Sequence, residues 1–297
     1  MTAIAPSTTP QVPPSDTATS TTPPRTRRVT RLRWSVALAV GVLAFFALAA
    51  IAPGLLATHA PTALDLTSSL RPPGVDHWFG TDESGRDLYS RVVFGTRESL
   101  SIGLGAAAVS LGLALVLGSL AALAGRFVSG SVNRLVEILF AFPTLLFALL
   151  LVAILGPSAT TQIIAVGVGS APGYARIVRG QILAARQSGY VEAATALGHP
   201  RGLILRQHII PNAVRPLVAI FTLCVGQSIV WASSLSFLGL GVAPPSSEWG
   251  ALLDAGRSYV THAPWLIVIP GLVIVVLALA ATTIGKDIQA RLESGDE

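Results

Sequence analysis

The sequence predicts an all-α, polytopic membrane protein with six transmembrane helices, and three observations lead to this fold class. Hydrophobic residues make up 52% of the 297 residues and charged residues only 12%, about half the charged share of a soluble domain. The chain contains uncharged runs long enough to cross a bilayer as helices. Basic residues gather in alternate connections between these runs, as in membrane proteins of fixed orientation.

Six apolar segments of 20 residues or more are predicted to span the membrane, since a helix of about 20 residues crosses the bilayer core. They are residues 34–56, 100–124, 135–156, 161–180, 213–237 and 264–285. The first segment is longer than the apolar region of a signal peptide, which favours an uncleaved anchor. Glycines and Pro172 interrupt the fourth segment, for which a re-entrant or surface helix is the alternative.

The charge distribution predicts that both termini are cytoplasmic. With six alternating spans, 15 of the 20 basic residues lie on the side of the N-terminus, and positively charged connections stay in the cytoplasm. Subtracting the acidic residues leaves +8 on that side and −3 on the other. The net charge of +5 therefore indicates orientation in the cell membrane, and no nucleic-acid partner is predicted.

Three regions follow from this pattern. Residues 1–33 form a cytoplasmic leader rich in Thr, Ser and Pro, a composition that predicts disorder for most of it. Residues 34–98 contain the first span and an extracellular segment. Residues 99–297 contain the other five spans and a long cytoplasmic loop, residues 181–212.

The composition excludes several functions for this chain itself. Its only lysine, Lys286, is followed by Asp287, so no Walker A phosphate loop is present. One cysteine, Cys224, excludes a cysteine-rich metal centre. The five histidines are scattered among the connections, and no zinc-protease motif or serine elbow occurs. We therefore predict no catalytic residue, no metal site and no cofactor in this chain.

The extracellular segment carries a cluster of turn-forming and polar residues, namely Gly80, Thr81, Asp82, Gly85, Arg86 and Asp87. Glycine and aspartate at these spacings favour turns in which the carboxylates cap nearby N–H groups. A metal cage is the alternative. Its ligands would come from Asp76, His77, Asp82 and Asp87, although their spacing matches no EF-hand loop.

The cytoplasmic loop predicts a short helix followed by a second helical piece. Ser188 is placed to cap the short helix, Gly198 to end it, and Pro211 to end the second piece. Three apolar residues, Val191, Ala194 and Leu197, have the spacing of one helical face. Adjacent alanines at 193 and 194 give a small surface that another protein can approach closely.

This loop resembles that of the membrane subunits of ATP-binding-cassette (ABC) importers, which carry Glu-Ala-Ala, then Gly, then an ending with Pro. Here the matching residues are Glu192-Ala193-Ala194, Gly198 and Pro211. Residues 208–212 resemble the peptide and nickel branch, and residues 79–100, 174–181 and 235–250 resemble its C-type permease. The departures are Ala171, where the branch usually has Trp, and the tail after Gly285.

The resemblance implies a type I ABC importer permease that forms half of a pathway for peptides or a related small solute, including a nickel complex. It also implies four partners: a second homologous permease, two ATPase subunits that bind ATP and Mg, and an extracellular or periplasmic substrate-binding protein. Glu192 is expected to anchor the ATPase-coupling loop, Ala193 and Ala194 to allow close approach, and Gly198 to make the turn, with Pro211 at the family's ending.

Two questions stay open at this stage. Arg176 and Arg179 are candidates for an inner gate or for a pair that extends to the interface, and Glu137 faces either the bundle interior or the interface. An ion-coupled secondary transporter and a non-transporting scaffold are the alternative functions. The scarcity of acidic residues in the spans argues against the transporter, and the Glu-Ala-Ala loop argues against the scaffold.

Overall fold

A computed structural model describes residues 29–294, with side chains over residues 34–292. Helices dominate this part of the chain, and its one isolated β-bridge joins Thr81 to Asp87. The all-α prediction is therefore confirmed for the described residues. Of the predicted leader, residues 1–28 lie outside the described range, whereas residues 29–33 belong to the first helix.

Eleven α-helices are described between residues 29 and 294. They are α1 (Val29–Ile51), α2 (Pro53–Leu56), α3 (Leu88–Leu123), α4 (Arg126–Ala141), α5 (Thr144–Leu155), α6 (Ala159–Arg186), α7 (Gly189–Ala196), α8 (Arg201–Ile204), α9 (Ile210–Leu235), α10 (Trp249–Arg257) and α11 (Trp265–Ser294). A 3-10 turn lies at Leu66–Ser68, and π-helical turns at Leu205–Ile209 and Ser236–Leu240 flank α9. Helix α3 packs along α6 and α9, and α11 packs against α9 and α1.

Four stretches of the described chain are long and apolar enough to cross a membrane: Trp34–Ile51, Leu88–Leu123, Arg201–Leu240 and Trp265–Leu292. They correspond to the first, second, fifth and sixth predicted spans. The third corresponds to a bent pair of helices, and the fourth lies inside the 28-residue α6. The chain is thus a multi-pass helical bundle, and the count of six spans stays a prediction.

The third span is not the single helix predicted for residues 135–156. Helices α4 and α5 meet at an angle of 90°. Phe142 between them has an extended backbone, with φ −81° and ψ 132°, because the ring of Pro143 disfavours the helical conformation of the residue before it. The 12-residue α5 is about 18 Å long, which is shorter than the bilayer core of about 30 Å.

The second span begins twelve residues earlier than predicted, at Leu88 instead of residue 100. The side chain of Asp87 accepts a hydrogen bond from the Ser90 N–H at 2.8 Å and caps the helix. The first turns of α3 contain Arg91 and Arg97. The predicted span did not include these turns because it was defined as an uncharged run.

The prediction that Pro211 ends a helix is wrong. The helix that begins at Arg201 continues to Leu240, and Pro211 lies in the first turn of α9. In the π-helical turn before it, the N–H of Ile210 bonds to the carbonyl of Leu205, five residues back. A proline is tolerated here because it follows a local change in the hydrogen-bond pattern.

Small residues let the central helices pack closely. A Cβ atom added to Gly118 of α3 would lie 2.8 Å from the carbonyl oxygen of Ala175 and from the Val178 side chain, both in α6. Such contacts are typical of helix interfaces within membranes, where close backbone approach contributes to association. Helix α3 thereby becomes the central element that positions the connections at its two ends.

Candidate functional sites

The first candidate site is the connection between α6 and α9, residues 187–209. At its start, the Arg186 guanidinium donates a 2.8 Å hydrogen bond to the carbonyl of Ala122, which ties the end of α6 to the end of α3. Val191 and Ala194 of α7 are buried in a hydrophobic cluster shared with α6, α9 and the π-helical turn between α8 and α9. The helix is therefore supported by the bundle.

Helix α7 ends as the sequence predicted, at Gly198. This glycine has φ +79°, the left-handed conformation that favours glycine. The Gly198 N–H bonds to the Thr195 carbonyl at 3.0 Å, and the His199 N–H bonds to the Ala194 carbonyl at 3.2 Å. Together these bonds form a Schellman motif, which satisfies the last carbonyls of the helix.

The exposed part of α7 differs from the predicted surface. Glu192 and Ala193 are exposed, but Ala194 is 96% buried in the protein's own core and offers no surface to another protein. Leu197 was predicted to lie on the same helical face as Val191 and Ala194, yet it is 75% exposed and follows the last residue of α7. The Ser188 hydroxyl donates to the Ala185 carbonyl instead of capping α7.

Arg176 and Arg179 lie on the exposed side of α6 and line a small cavity near the end of α3. The Arg176 guanidinium lies 4.7 Å from the centroid of the Phe140 ring. Glu137 lines the same cavity, pairs with Arg134 at 3.3 Å and is more than half exposed. The structure therefore places Glu137 at an exposed boundary, not in the bundle interior.

The second candidate site is the connection between α1 and α3, residues 52–87. Its centre is Asp82, whose Oδ2 atom accepts hydrogen bonds from Arg91 at 2.6 Å and Arg86 at 2.7 Å. Asp82 and Arg91 are both buried, and Arg86 also pairs with Glu83 at 2.9 Å. Oδ1 of Asp82 accepts the backbone N–H groups of Ser84 and Arg86, so this carboxylate organises the whole turn.

Two glycines are required by the shape of this turn. Gly80 and Gly85 have φ of +78° and +72°, and a Cβ atom on Gly85 would overlap the carbonyl of Asp65. The six residues predicted here, Gly80, Thr81, Asp82, Gly85, Arg86 and Asp87, therefore come together in one folded unit at the start of α3. The expectation of turn and cap chemistry is confirmed, with Asp87 capping α3.

The expectation that the histidines form no cluster is wrong. The rings of His59 and His77 lie 4.9 Å apart, and His77 Nδ1 is 2.9 Å from Asp87 Oδ1. The set of possible metal ligands also changes, because His59, His77 and Asp87 have ligand atoms within 4.8 Å of one another, whereas Asp82 is engaged by arginines. The sequence concealed this cluster, since residues 59, 77 and 87 meet only once the connection has folded.

The start of α10 packs onto the start of α3. Trp249 is fully buried, its indole N–H donates to the Val92 carbonyl, and its backbone N–H donates to the Ser99 hydroxyl, each at 3.0 Å. Burial raises the pKa of Glu248, which caps α10 through the N–H groups of Gly250 and Ala251. This contact between Trp249 and α3 was not predicted from the sequence. The one pattern that pointed to it was the polar character of the first turns of α3.

This chain is similar to a known protein family, to individual permease proteins and to solved transporter structures. Residues 114–294 match the family model of the binding-protein-dependent transport system inner membrane component. The chain is 34% identical to a dipeptide transport system permease protein of Alkalihalophilus pseudofirmus, over 95% of this chain and 93% of that protein. It is 39% identical to a probable D,D-dipeptide transport system permease protein of Escherichia coli, over 80% of each. A glutathione transport system permease protein of Pectobacterium atrosepticum is 37% identical, over 90% and 89%.

Solved structures give the same fold. The MetNI methionine ABC transporter in an inward-facing conformation matches with a TM-score of 0.57 and 20% identity, over 68% of this chain and 96% of that one. An amino acid ABC transporter matches with a TM-score of 0.55 and 19% identity, over 68% and 94%. The chain therefore belongs to the binding-protein-dependent transport system inner membrane component family, among the permeases of peptide ABC importers.

Proposed function

We propose that this chain forms one half of the translocation pathway of an ABC importer for short peptides or a related small solute, such as a nickel complex. Its relatives are named as permeases for dipeptides, D,D-dipeptides and glutathione, which supports a peptide cargo. A second homologous permease provides the other half. Selectivity then depends largely on an external substrate-binding protein.

In this proposal, α7 couples the permease to an ATPase subunit. The observation that carries it is that α7 is buried on one side and exposed on the other, with Glu192, Ala193 and Leu197 available to a partner. A hydrogen bond to the Glu192 carboxylate would contribute about 1.5–3 kcal/mol, and Leu197 would fill an apolar pocket. Two partner subunits bind ATP and Mg, since Lys286 is followed by Asp287 and no phosphate loop is present.

Both termini are placed in the cytoplasm, with the α6–α9 connection on the same side. The α1–α3 connection and residues 239–263 then face outward and form the surface for the substrate-binding protein. Support comes from the charge distribution, with 15 of 20 basic residues on the cytoplasmic side. Arg176 and Arg179, beside the cavity near the end of α3, are candidate gate residues on that side.

The proposal is tested by purifying the chain from its native membranes without dissociating its partners. We expect ATPase subunits to co-purify and the complex, reconstituted with its binding protein, to accumulate a labelled dipeptide in proteoliposomes only with ATP. Leu197→Cys in a Cys224→Ser background should cross-link to the ATPase, whereas Leu64→Cys in the α1–α3 connection should not. Accumulation driven by an ion gradient without ATP would favour a secondary transporter, and a chain that moves no solute would be a scaffold.

A further inference from the structure

Three side chains with metal-binding atoms converge in the α1–α3 connection, and the transport function does not use them. His59 follows α2, His77 lies in the loop after residue 71, and Asp87 caps α3. One ligand atom from each can be chosen so that all lie within 4.8 Å of one another. The distances from Asp87 oxygens are 2.9 Å to His77 Nδ1 and 3.8 Å to His59 Nδ1.

The two distances from the Asp87 oxygens are close to those around a shared metal ion, and the three ligand atoms, which lie within 4.8 Å of one another, would draw together around it. Two ligands at about 2.0–2.1 Å from a tetrahedral zinc ion are about 3.3 Å apart, and the observed distances lie on either side of that value. Two imidazoles and one carboxylate form a ligand set that favours Zn²⁺ and similar transition ions over Ca²⁺ or Mg²⁺. We propose that His59, His77 and Asp87 form a binding site for a divalent transition-metal ion.

The surroundings of Asp87 support this proposal. Its carboxylate is 1% exposed, and its Oδ2 atom is held by the N–H of Ser90 at 2.8 Å, an outer hydrogen bond of the kind that orients metal ligands. The neighbouring cations do not compete for it, since Arg86 and Arg91 bind Asp82.

His59 provides the route by which an ion would enter. Its side chain is 43% exposed, while its backbone N–H donates to the Ser90 hydroxyl at 3.0 Å. The His59 ring is therefore accessible from solvent on a hydrogen-bonded backbone, and water or another ligand would fill the fourth position of a tetrahedral ion. A bound ion would join residues 59, 77 and 87 and fasten the connection to the start of α3. The proposed site differs from the expectation, based on the sequence, that the chain has no metal site.

The test measures Zn²⁺ binding to the full-length chain in lipid nanodiscs, purified without a polyhistidine tag, by competition with a chromophoric chelator. We expect one saturable Zn²⁺ site per chain. His59→Ala and His77→Ala should each weaken binding by more than about tenfold, because even the outer partners of metal ligands contribute about 10–100-fold. Zn²⁺ should also raise the melting temperature of the unmodified chain and not that of the variants.

The matched control is His262→Ala, which removes a histidine from the connection between α10 and α11, where it bonds to Thr261. Its Zn²⁺ affinity should equal that of the unmodified chain. Visible absorption of bound Co²⁺ should change in the His59 and His77 variants and not in this control. The proposal is overturned by absence of saturable binding, or by Zn²⁺ affinity and Co²⁺ spectra that His59→Ala and His77→Ala leave unchanged. The three residues would then form only the hydrogen-bonded contact seen between His77 and Asp87.

Discussion

Asp82 shows how much of the α1–α3 connection depends on one side chain. Both of its oxygens are used, one by Arg86 and Arg91 and the other by two backbone N–H groups. The charges of Asp82 and Arg91 are buried, so each compensates for water that the other has lost. Loss of either partner leaves an uncompensated buried charge, which costs more than the pair itself contributes.

We therefore expect Asp82→Ala to lower the free energy of unfolding by about 3–5 kcal/mol. Asp254→Ala is the matched control, because Asp254 and Arg257 also form an acid–arginine pair, 4.0 Å apart, but one that is much more exposed than the Asp82 pair. Its effect should stay below about 1 kcal/mol. Chemical unfolding in detergent, followed by tryptophan fluorescence, measures both changes. Equal effects of the two variants would show that burial of the Asp82 pair is unimportant.

Glu248 predicts a pH dependence of stability. Burial raises its pKa above the ordinary value of 4.5, against the hydrogen bonds from Gly250 and Ala251 that lower it. The folded protein thus binds a proton at higher pH than the unfolded chain, so this group adds stability below the unfolded pKa and loses it as pH rises through the folded pKa.

For this reason, the melting temperature of the unmodified chain should rise relative to that of Glu248→Gln as the pH is lowered from neutral toward about 4.5. Glutamine keeps an oxygen for the cap but does not titrate, so other groups cancel in the difference. The measurement is a pair of thermal melts across this pH range in the same detergent. A fall in the melting temperature of the unmodified chain relative to that of Glu248→Gln on acidification would mean that the pKa of Glu248 is not raised.

At the scale of elements, α7 combines a buried base with an exposed tip. The base is formed by Val191 and Ala194, and the tip by Glu192, Ala193 and Leu197. The Schellman motif at Gly198 fixes where the helix stops. The position of the tip therefore depends on one backbone conformation that residues other than glycine adopt only with strain.

We expect Gly198→Val to abolish dipeptide transport in proteoliposomes while the chain still inserts into the membrane. Gly202→Val is a close control. A Cβ atom meets nothing within 4 Å at either position, but only Gly198 has a positive φ. Transport by the Gly202 variant should be close to normal. Transport by Gly198→Val at the normal rate would contradict the proposed role of this turn in coupling to the ATPase.

The sequence predicted which segments are helical better than it predicted where they break. Apolar runs located the long helices, yet Pro143 lies in a 90° break, whereas Pro211 lies within a continuous helix. The difference depends on the extended Phe142 in one case and on a π-helical turn in the other. A proline in the sequence therefore does not by itself show whether a helix will break, because the local hydrogen-bond pattern differs between the two places.

At the scale of the whole molecule, the sequence predicted the local parts of the candidate sites and not the contacts between distant residues. Gly80, Asp82, Asp87 and Gly198 act in turns and caps as local patterns predicted, because such chemistry depends on near neighbours. The cluster of His59 with His77 and the dock of Trp249 on α3 involve distant residues. These contacts form only after the bundle has assembled, so spacing in the sequence could not reveal them.

The proposed orientation gives a prediction for the whole chain. In a Cys224→Ser background, Leu64→Cys and Leu197→Cys place thiols at positions that are 69% and 75% exposed. With the chain expressed without its ATPase subunits, a membrane-impermeant thiol reagent should label the Leu64 variant in right-side-out vesicles and the Leu197 variant in inside-out vesicles. The Cys224→Ser background removes the one native thiol of the chain. The reverse labelling pattern would invert the topology.

Helix α3 has 36 residues and is therefore about 54 Å long, well beyond the bilayer core of about 30 Å. One end holds Asp87, Arg91 and the dock of Trp249, and the other accepts the hydrogen bond of Arg186 beside the cluster that carries α7. Under the coupling role proposed for α7, this single helix would connect the end of the bundle near α7 to the opposite surface. An importer built around it would signal between its two faces by tilting one stiff member.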